Sequence, residues 1–182
     1  MSSKVGVDLT VRSERLDLPL LDAALLDALI ANDYAAIRSL VEFAIPASFP
    51  DEEQREFLRF RSSQLANDPN RYPWSVRAIV LRAERRMLGF VNFHGAPGVN
   101  DTNTPGALEL GWTVFPREQK RGYATETANA LMDWARRMHG VRHFISSTTP
   151  GNAASLRVHD KLGFARTGEF IEGEVIFELR RS

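Results

Sequence analysis

The chain has 182 residues, a length that fits one domain over residues 1–182, and its 43% hydrophobic content is sufficient for a buried core. Cysteine is absent, which excludes disulfides, thiolate metal sites and a cysteine nucleophile, and the four histidines lack the paired spacing of metal ligands. Lys plus Arg and Asp plus Glu balance at 23 each, so no net field attracts nucleic acid, and no apolar run is long enough to span a membrane.

The first part of the chain predicts one strand followed by three helices. Alternating apolar and polar residues indicate the strand within residues 7–21. Apolar residues then recur every three or four positions over 22–41, which predicts two short helices with a break at Asn32-Asp33. Asp51 precedes an acidic turn and marks the start of the third helix, which we expect to end near residues 67–69.

The middle of the chain predicts three strands that run back and forth. Two runs rich in β-branched and aromatic residues, 75–84 and 87–96, form a hairpin around a polar turn. A loop rich in turn residues occupies 95–106. The third strand covers 107–115 and ends before Pro116.

The last part predicts helix, strand, helix and hairpin. Over 123–140 the sequence has the clearest amphipathic pattern, with an apolar stripe formed by Ala124, Ala128, Leu131, Met132, Ala135 and Met138. A strand at 143–149, a short helix at 152–163 and a hairpin at 164–181 follow. The order of elements predicts an α/β protein with a single mixed, mostly antiparallel sheet and helices on both faces.

A candidate anion site lies where the third strand of the middle region leads into the long helix. Gly122 directly precedes the helix, whose first positions are Tyr123, Ala124 and Thr125. Free backbone N–H groups and the helix dipole make such a start suitable for a pyrophosphate. The Walker and GxGxxG patterns are missing, which argues against nucleotide hydrolysis and hydride transfer. The alternative is an ordinary solvated basic turn.

Two motifs resemble the GNAT superfamily of acyl-CoA-dependent N-acetyltransferases. The first is the pyrophosphate loop, written Q/R-x-x-G-x-G/A, which this chain matches with Gln119, Gly122 and Ala124 after an approach through Val114 and Pro116. The second resembles the N-x-x-S...LGF element of the branch that includes the ribosomal-protein N-terminal alanine acetyltransferases; here it comprises Asn152, Ser155, Leu162, Gly163 and Phe164. The resemblance is strongest over residues 108–164 and implies the GNAT fold.

The resemblance implies that acetyl-CoA is the cosubstrate. Its pantetheine arm would contact Asn152 and the backbone of Trp112, Thr113 and Val114, and its pyrophosphate would contact the loop and helix start, residues Gln119, Lys120, Arg121, Gly122, Tyr123, Ala124 and Thr125. A residue of the following helix would protonate the departing thiolate. Asn152, Ser155 and His159 are spaced i, i+3, i+7 and share one helical face, so the acid is either Ser155 or His159. Otherwise Ser155 satisfies backbone donors and His159 packs as a polar core residue.

The candidate general base is Glu109. It shares one strand face with small residues, and the resembling branch has a glutamate at this position that takes the amine proton directly or through water. The alternative is an ion pair with a hairpin arginine such as Arg82. His94 and Asn92 are second choices that face the acceptor pocket.

These observations predict an N-acetyltransferase that uses acetyl-CoA, no metal and no covalent enzyme intermediate. The acceptor would be a small-molecule amine or a protein N-terminus, because one glutamate suits an α-amine better than a lysine. The variable segments 23–73 and 95–106 do not identify the acceptor. They also do not show whether the protein forms a homodimer. The alternative function is a non-catalytic acyl-CoA-binding module. Since the start lacks the apolar segment of a signal peptide, we expect a cytoplasmic protein without nucleic-acid or membrane partners.

Overall fold

Eight strands form one continuous sheet in the computed structural model, which describes residues 9–182. The strand order is β1-β2-β3-β4-β5-β6-β8-β7, and every neighbouring pair is antiparallel except β5 and β6. The predicted mixed, mostly antiparallel sheet is therefore confirmed. The strands are β1 (Val11–Arg12), β2 (Leu16–Leu18), β3 (Val76–Leu81), β4 (Arg86–Phe93), β5 (Leu108–Val114), β6 (His143–Thr148), β7 (Ala165–Ile171) and β8 (Glu174–Arg180).

Five α-helices within residues 9–182 flank the sheet, and their ends follow the local signals in the sequence. They are α1 (Ala23–Ala31), α2 (Tyr34–Leu40), α3 (Glu52–Asn67), α4 (Tyr123–His139) and α5 (Ala153–Leu162). Asn32, in the left-handed conformation, ends α1, and the side chain of Asp33 caps α2, which explains the break between them. Asp51 and Gln54 form a reciprocal capping box at the start of α3. No helix of the described residues is long and apolar enough to cross a membrane.

Both faces of the sheet are covered, as predicted. Along β3, Val76, Ala78 and Val80 pack into the cluster that contains residues of α1, α2 and α3. The alternate residues Ile79 and Leu81 pack into the cluster that contains α4 and the end of α5. Because successive side chains of a strand point to opposite faces, the two helical layers lie on opposite sides.

The parallel pair β5 and β6 is joined over a short length only. Leu108 pairs with Phe144 and Glu109 with Ile145, and beyond these positions the two strands are not paired. The rest of β5 remains bound to β4, where Gly89 is opposite Val114. A Cβ at Gly89 would lie 2.0 Å from the carbonyl oxygen of Thr113, so only glycine permits this close approach. The sheet therefore opens between the carboxyl-terminal ends of β5 and β6.

Two details differ from the sequence prediction. The predicted first strand is two short strands, because the backbone and hydroxyl of Ser13 form hydrogen bonds with the backbone of Leu16 and close a turn between them. Residues 7 and 8 of that prediction lie outside the described residues. Met138 belongs to the predicted apolar stripe of α4, but it is 67% exposed, because the buried part of the helix ends at Ala135 and the last turn extends beyond the core.

Candidate functional site

Two clefts of similar size meet at the opening between β5 and β6. The first, of about 400 Å³, lies between the loop before α4 and the helix α5. The second, of about 440 Å³, lies between the start of α3, the middle of β4 and β5, and the ends of β6 and β8. Trp112, Thr113, Asn152 and Ser155 line both clefts. A molecule bound in one cleft can therefore reach a molecule bound in the other.

The first cleft contains a helix start that is suitable for an anion. Gly122 is the N-terminal cap of α4, with φ of +82°, and no side chain caps the free N–H groups of the first turn. The cleft is lined by Tyr123, Ala124 and Thr125 of that turn. The helix dipole adds partial positive charge at the same place. These features fit the pyrophosphate of a coenzyme A ester.

Hydrogen bonds hold the loop before α4 in this position. The side-chain amide of Gln119 donates to the carbonyl of Val114 at 3.0 Å, which closes the loop on the end of β5. Arg15 donates to the carbonyl of Arg121 at 3.1 Å and also binds the carboxylate of Glu126. Glu126 would otherwise place a negative charge in the first turn of α4, so its pairing with Arg15 keeps this helix start favourable for an anion.

Basic side chains give the first cleft a positive charge. Lys120 contributes from the loop, and Arg157 and Lys161 contribute from α5. The one acidic residue among the described residues that line it is Glu118, whose pKa is lowered by its hydrogen bond to Arg86. This cleft is called the basic cleft below. Arg157 and Lys161 were not identified from the sequence, although the i, i+4 spacing placed them on one helical face.

The basic cleft collects nearly all the residues that the sequence predicted for acetyl-CoA binding. Its lining includes Trp112, Thr113, Val114, Gln119, Lys120, Gly122, Tyr123, Ala124, Thr125 and Asn152. Arg121 is the exception: its side chain is exposed and lies 3.6 Å from Glu118. The carbonyl of Arg121 still helps to position the loop through Arg15.

Asn152 and Ser155 are held at the junction of the two clefts by the start of α5. The Asn152 side chain accepts a hydrogen bond from the backbone N–H of Ser155 at 3.1 Å and so caps the helix. This bond uses the Asn152 oxygen and leaves its amide N–H groups available to a ligand. The hydroxyl of Ser155 has no recorded partner among the described residues and lies at the point where the clefts meet.

His159, in contrast, lines neither cleft. It is fully buried, its ring stacks on Phe177 with centroids 4.2 Å apart, and burial lowers its pKa. When the ring is neutral, its Nδ1–H donates a hydrogen bond to the carbonyl of Ser155. Its Nε2 then accepts a hydrogen bond from the hydroxyl of Ser146. The ring therefore links α5 to β6 as a core residue.

The second cleft has the opposite charge and is called the acidic cleft below. Asp51, Glu53 and Glu174 contribute carboxylates, and among the described residues that line it there is no lysine or arginine. Its wall includes His94 and the bare backbone of Gly111. A Cβ at Gly111 would lie 3.8 Å from Nε2 of His94, so the missing side chain leaves this nitrogen accessible.

Glu109 is located directly behind His94 and does not line the cleft. Its side chain is fully buried, and one carboxylate oxygen accepts a hydrogen bond from the backbone N–H of Asp101 at 2.7 Å. The same oxygen is 3.4 Å from Nδ1 of His94. Burial alone would raise the pKa of Glu109, but the hydrogen bond and charge of His94, together with the Asp101 N–H, lower it. Arg82 instead binds Asp17, so the alternative ion pair between Arg82 and Glu109 is not formed.

Among the described residues, one group of three side chains has atoms that could bind a metal ion. The relevant atoms of His94, Asp101 and Glu109 lie within 4.8 Å of one another. The hydrogen bond from the Asp101 N–H to Glu109 and the approach of His94 Nδ1 to both carboxylates account for this proximity without a metal. The expectation from the sequence that the protein uses no metal stays a prediction.

Comparison with known proteins identifies a family. Residues 15–165 match the family model described as the acetyltransferase (GNAT) domain. Two proteins of Bacillus subtilis (strain 168) that are named uncharacterized N-acetyltransferases also match. YnaD is 24% identical over 76% of this chain and 73% of its own length, and YjdG is 25% identical over 85% and 88%.

Solved structures share the fold. The ribosomal-protein-S5-alanine acetyltransferase from Vibrio fischeri has a TM-score of 0.58 at 15% identity and covers 94% of this chain and 96% of its own. The microcin C7 self-immunity acetyltransferase MccE, solved with acetyl-CoA and AMP, has a TM-score of 0.60 at 14% identity and covers 97% and 100%. These likenesses confirm the predicted GNAT fold.

The helix start can be tested with two alanine substitutions at opposite ends of α4. Gly122 and Gly140 both have positive φ, so Gly122→Ala and Gly140→Ala should each lower the free energy of unfolding by about 1 kcal/mol. Only Gly122 lines the basic cleft. Gly122→Ala should therefore weaken acetyl-CoA binding about tenfold, as measured by calorimetry, because its Cβ blocks the approach to the backbone. If both variants bound acetyl-CoA with equal affinity, the pyrophosphate would not bind at the start of α4.

Proposed function

Because the chain belongs to the GNAT acetyltransferase family, we propose that it transfers the acetyl group of acetyl-CoA to a primary amine in a ternary complex. The observation that carries the proposal is the meeting of the basic and acidic clefts at the opening between β5 and β6. One cleft suits an anionic cosubstrate, and the other leaves room for a separate acceptor. Since the chain has no cysteine, the acetyl group is transferred directly, without a thioester on the enzyme.

In this proposal the basic cleft holds acetyl-CoA. The pyrophosphate binds the N–H groups at the start of α4, with Lys120, Arg157 and Lys161 nearby. The pantetheine arm follows the unpaired edge of Trp112, Thr113 and Val114 in place of the missing β6 partner. The thioester then lies beside Ser155, where the clefts join.

We assign the general base to His94, with Glu109 as its positioning residue. Glu109 is fully buried and does not line the acidic cleft, whereas His94 does. When Nδ1–H of His94 donates to Glu109, Nε2 carries the free electron pair and is accessible beside Gly111. The glutamate carboxylate also stabilises the imidazolium that forms when Nε2 takes a proton from the amine. This arrangement replaces direct deprotonation by Glu109.

Ser155 is the better candidate for the acid, because its hydroxyl lies at the junction and His159 does not reach either cleft. In the balanced reaction the amine nitrogen attacks the thioester carbonyl and passes a proton to His94. The carbon–sulfur bond breaks, and the Ser155 hydroxyl donates its proton to the departing thiolate. Ser155 then takes up a proton from solvent, and the His94 imidazolium releases one to solvent, so both groups are regenerated. The products are the N-acetyl amine and coenzyme A.

The proposed activity is tested by incubating the protein with acetyl-CoA and a panel of primary amines and measuring both coenzyme A and acetylated product. Stoichiometric formation of both is expected. Saturable binding of acetyl-CoA without transfer to any amine would favour the non-catalytic binding module instead.

The roles of His94 and Glu109 can be separated by a double-mutant cycle. We expect His94→Gln to lower kcat/KM by about 10²-fold at neutral pH and Glu109→Gln by about tenfold, since the carboxamide still accepts from Nδ1–H but carries no charge. Both losses should shrink as pH rises, because more amine is then neutral without a base. The double variant should resemble His94→Gln alone. A Glu109→Gln loss at least as large as that of His94→Gln would support direct action by Glu109.

Ser155→Ala and His159→Phe distinguish the acid from the core residue. Ser155→Ala should reduce kcat by about 10²- to 10⁴-fold with unchanged acetyl-CoA affinity and stability. His159→Phe removes two buried hydrogen bonds, so it should lower the free energy of unfolding by about 2 kcal/mol and change kcat by less than about threefold. Steady-state kinetics measures the change in kcat, and denaturant unfolding measures the change in the free energy of unfolding. The reverse pattern would assign the acid to His159.

A further inference from the structure

The acidic cleft has features that restrict the acceptor beyond the presence of one amine. Resting on the proposed function, we propose that the acceptor is a small aliphatic amine with a second positively charged nitrogen, such as a diamine or polyamine. Three properties of the cleft carry this inference: carboxylates without a salt-bridge partner among the described residues, apolar side chains in the same wall, and a volume that fits a small molecule.

The carboxylates of the cleft keep their charge available for a ligand. Among the described residues, no cationic side chain lies within 4.0 Å of Asp51, Glu53 or Glu174. Asp51 accepts a backbone N–H of α3, and Glu174 accepts the hydroxyl of Ser147, so neither carboxylate forms a salt bridge with a side chain of the described residues. The neighbouring Glu52, outside the cleft, differs because it contacts Arg55 and Arg59.

Further carboxylates lie next to this cleft. Asp101, 3.9 Å from His94, has a raised pKa, mainly because of burial and then because of the negative charge of Glu109, with smaller contributions from Glu172 and Glu174. A group surrounded by several anions resists ionisation in this way. The nearby guanidinium of Arg61 donates to the carbonyl of His94, and the carboxylates of the region outnumber it. This excess of negative charge favours a cationic acceptor over an acidic one and a dication over a monocation.

The wall of the cleft suits a hydrocarbon spacer. Phe57 and Phe90 stack with ring centroids 5.5 Å apart, and Leu110 and Trp112 also line the cleft. A chain of methylene groups can pack along this apolar surface while its charged end meets the carboxylates. The volume of about 440 Å³ is in the range of small-molecule sites. In the reaction above, one nitrogen loses its proton to His94 and is acetylated, while the other stays charged and holds the acceptor.

The test compares two amines with the same carbon chain, 1,4-diaminobutane and 1-aminobutane, on the protein saturated with coenzyme A, which cannot transfer an acetyl group. Calorimetry should show that the diamine binds about tenfold more tightly than 1-aminobutane in low salt. The preference should be smaller at about 0.5 M salt, because salt screens the attraction between the second ammonium group and the carboxylates. Glu53→Gln and Glu174→Gln should each reduce the preference about threefold, the effect of one partly screened ion pair. Glu56→Gln is the matched control, since it is an exposed carboxylate of the same helix outside the cleft.

Equal affinity for the two amines, or a preference that survives the double variant of Glu53 and Glu174, would overturn the inference. Tighter binding of trialanine amide than of the diamine would also overturn it, in favour of a protein N-terminus. Parallel turnover with acetyl-CoA separates this result from the proposed function. Efficient acetylation of both amines without preference contradicts only the acceptor class, whereas selective diamine binding without any transfer contradicts only the proposed function.

Discussion

The early separation of β5 from β6 is the structural constraint on which the proposed site depends. The two strands are paired at only two positions, and they diverge although each remains hydrogen-bonded on its other side, to β4 and β8. Beyond Glu109 the backbone of β5 therefore lacks a strand partner on the side of β6, and the carbonyl of Val114 accepts from the Gln119 side chain instead. Unpaired backbone groups inside a fold need a partner, and an extended ligand arm can supply it. The starts of α4 and α5 flank the same opening.

The two clefts that meet at this opening differ in charge, and pairing outside them maintains the difference. Arg15 and Arg86 each bind a carboxylate, Glu126 and Glu118 respectively, which would otherwise reduce the positive charge around the loop before α4. On the other side, Asp51, Glu53 and Glu174 have no cationic partner among the described residues. Electrostatic complementarity of this kind favours correct placement of two different ligands more than it adds raw affinity. In the proposed reaction this difference in charge directs the anionic cosubstrate to the basic cleft and a cationic acceptor to the acidic cleft.

The elements were predictable from the sequence because their signals are local, and the same local signals brought most of the residues proposed to bind acetyl-CoA into one cleft. The helix ends depend on neighbouring residues, for example Asp51 and Gln54, and Gly122 lies directly before the helix that it caps. The link between Arg15 and Glu126 was not predictable from local patterns, because 111 positions separate them in the sequence. Alternation along β5 showed which face Glu109 occupies, but not that a loop would bury it.

The same limit applies to His94 and His159. Both were considered from the sequence, but a strand or helix pattern does not reveal how deeply a side chain is buried. The structure locates His94 on a cleft wall and His159 in the core against Phe177. Long-range packing therefore decides which histidine lines a cleft, and of the two interpretations that the sequence left open for His159 it agrees with the core residue.

A bisubstrate analogue tests whether one ligand can extend through the opening from the basic cleft into the acidic cleft. Coenzyme A joined through its sulfur and an acetyl group to one nitrogen of 1,4-diaminobutane would occupy both clefts at once. Calorimetry should show that it binds at least about 10²-fold more tightly than coenzyme A, since linking two sites raises the effective concentration of the second. An affinity equal to that of coenzyme A would contradict a continuous site that is formed by the two clefts.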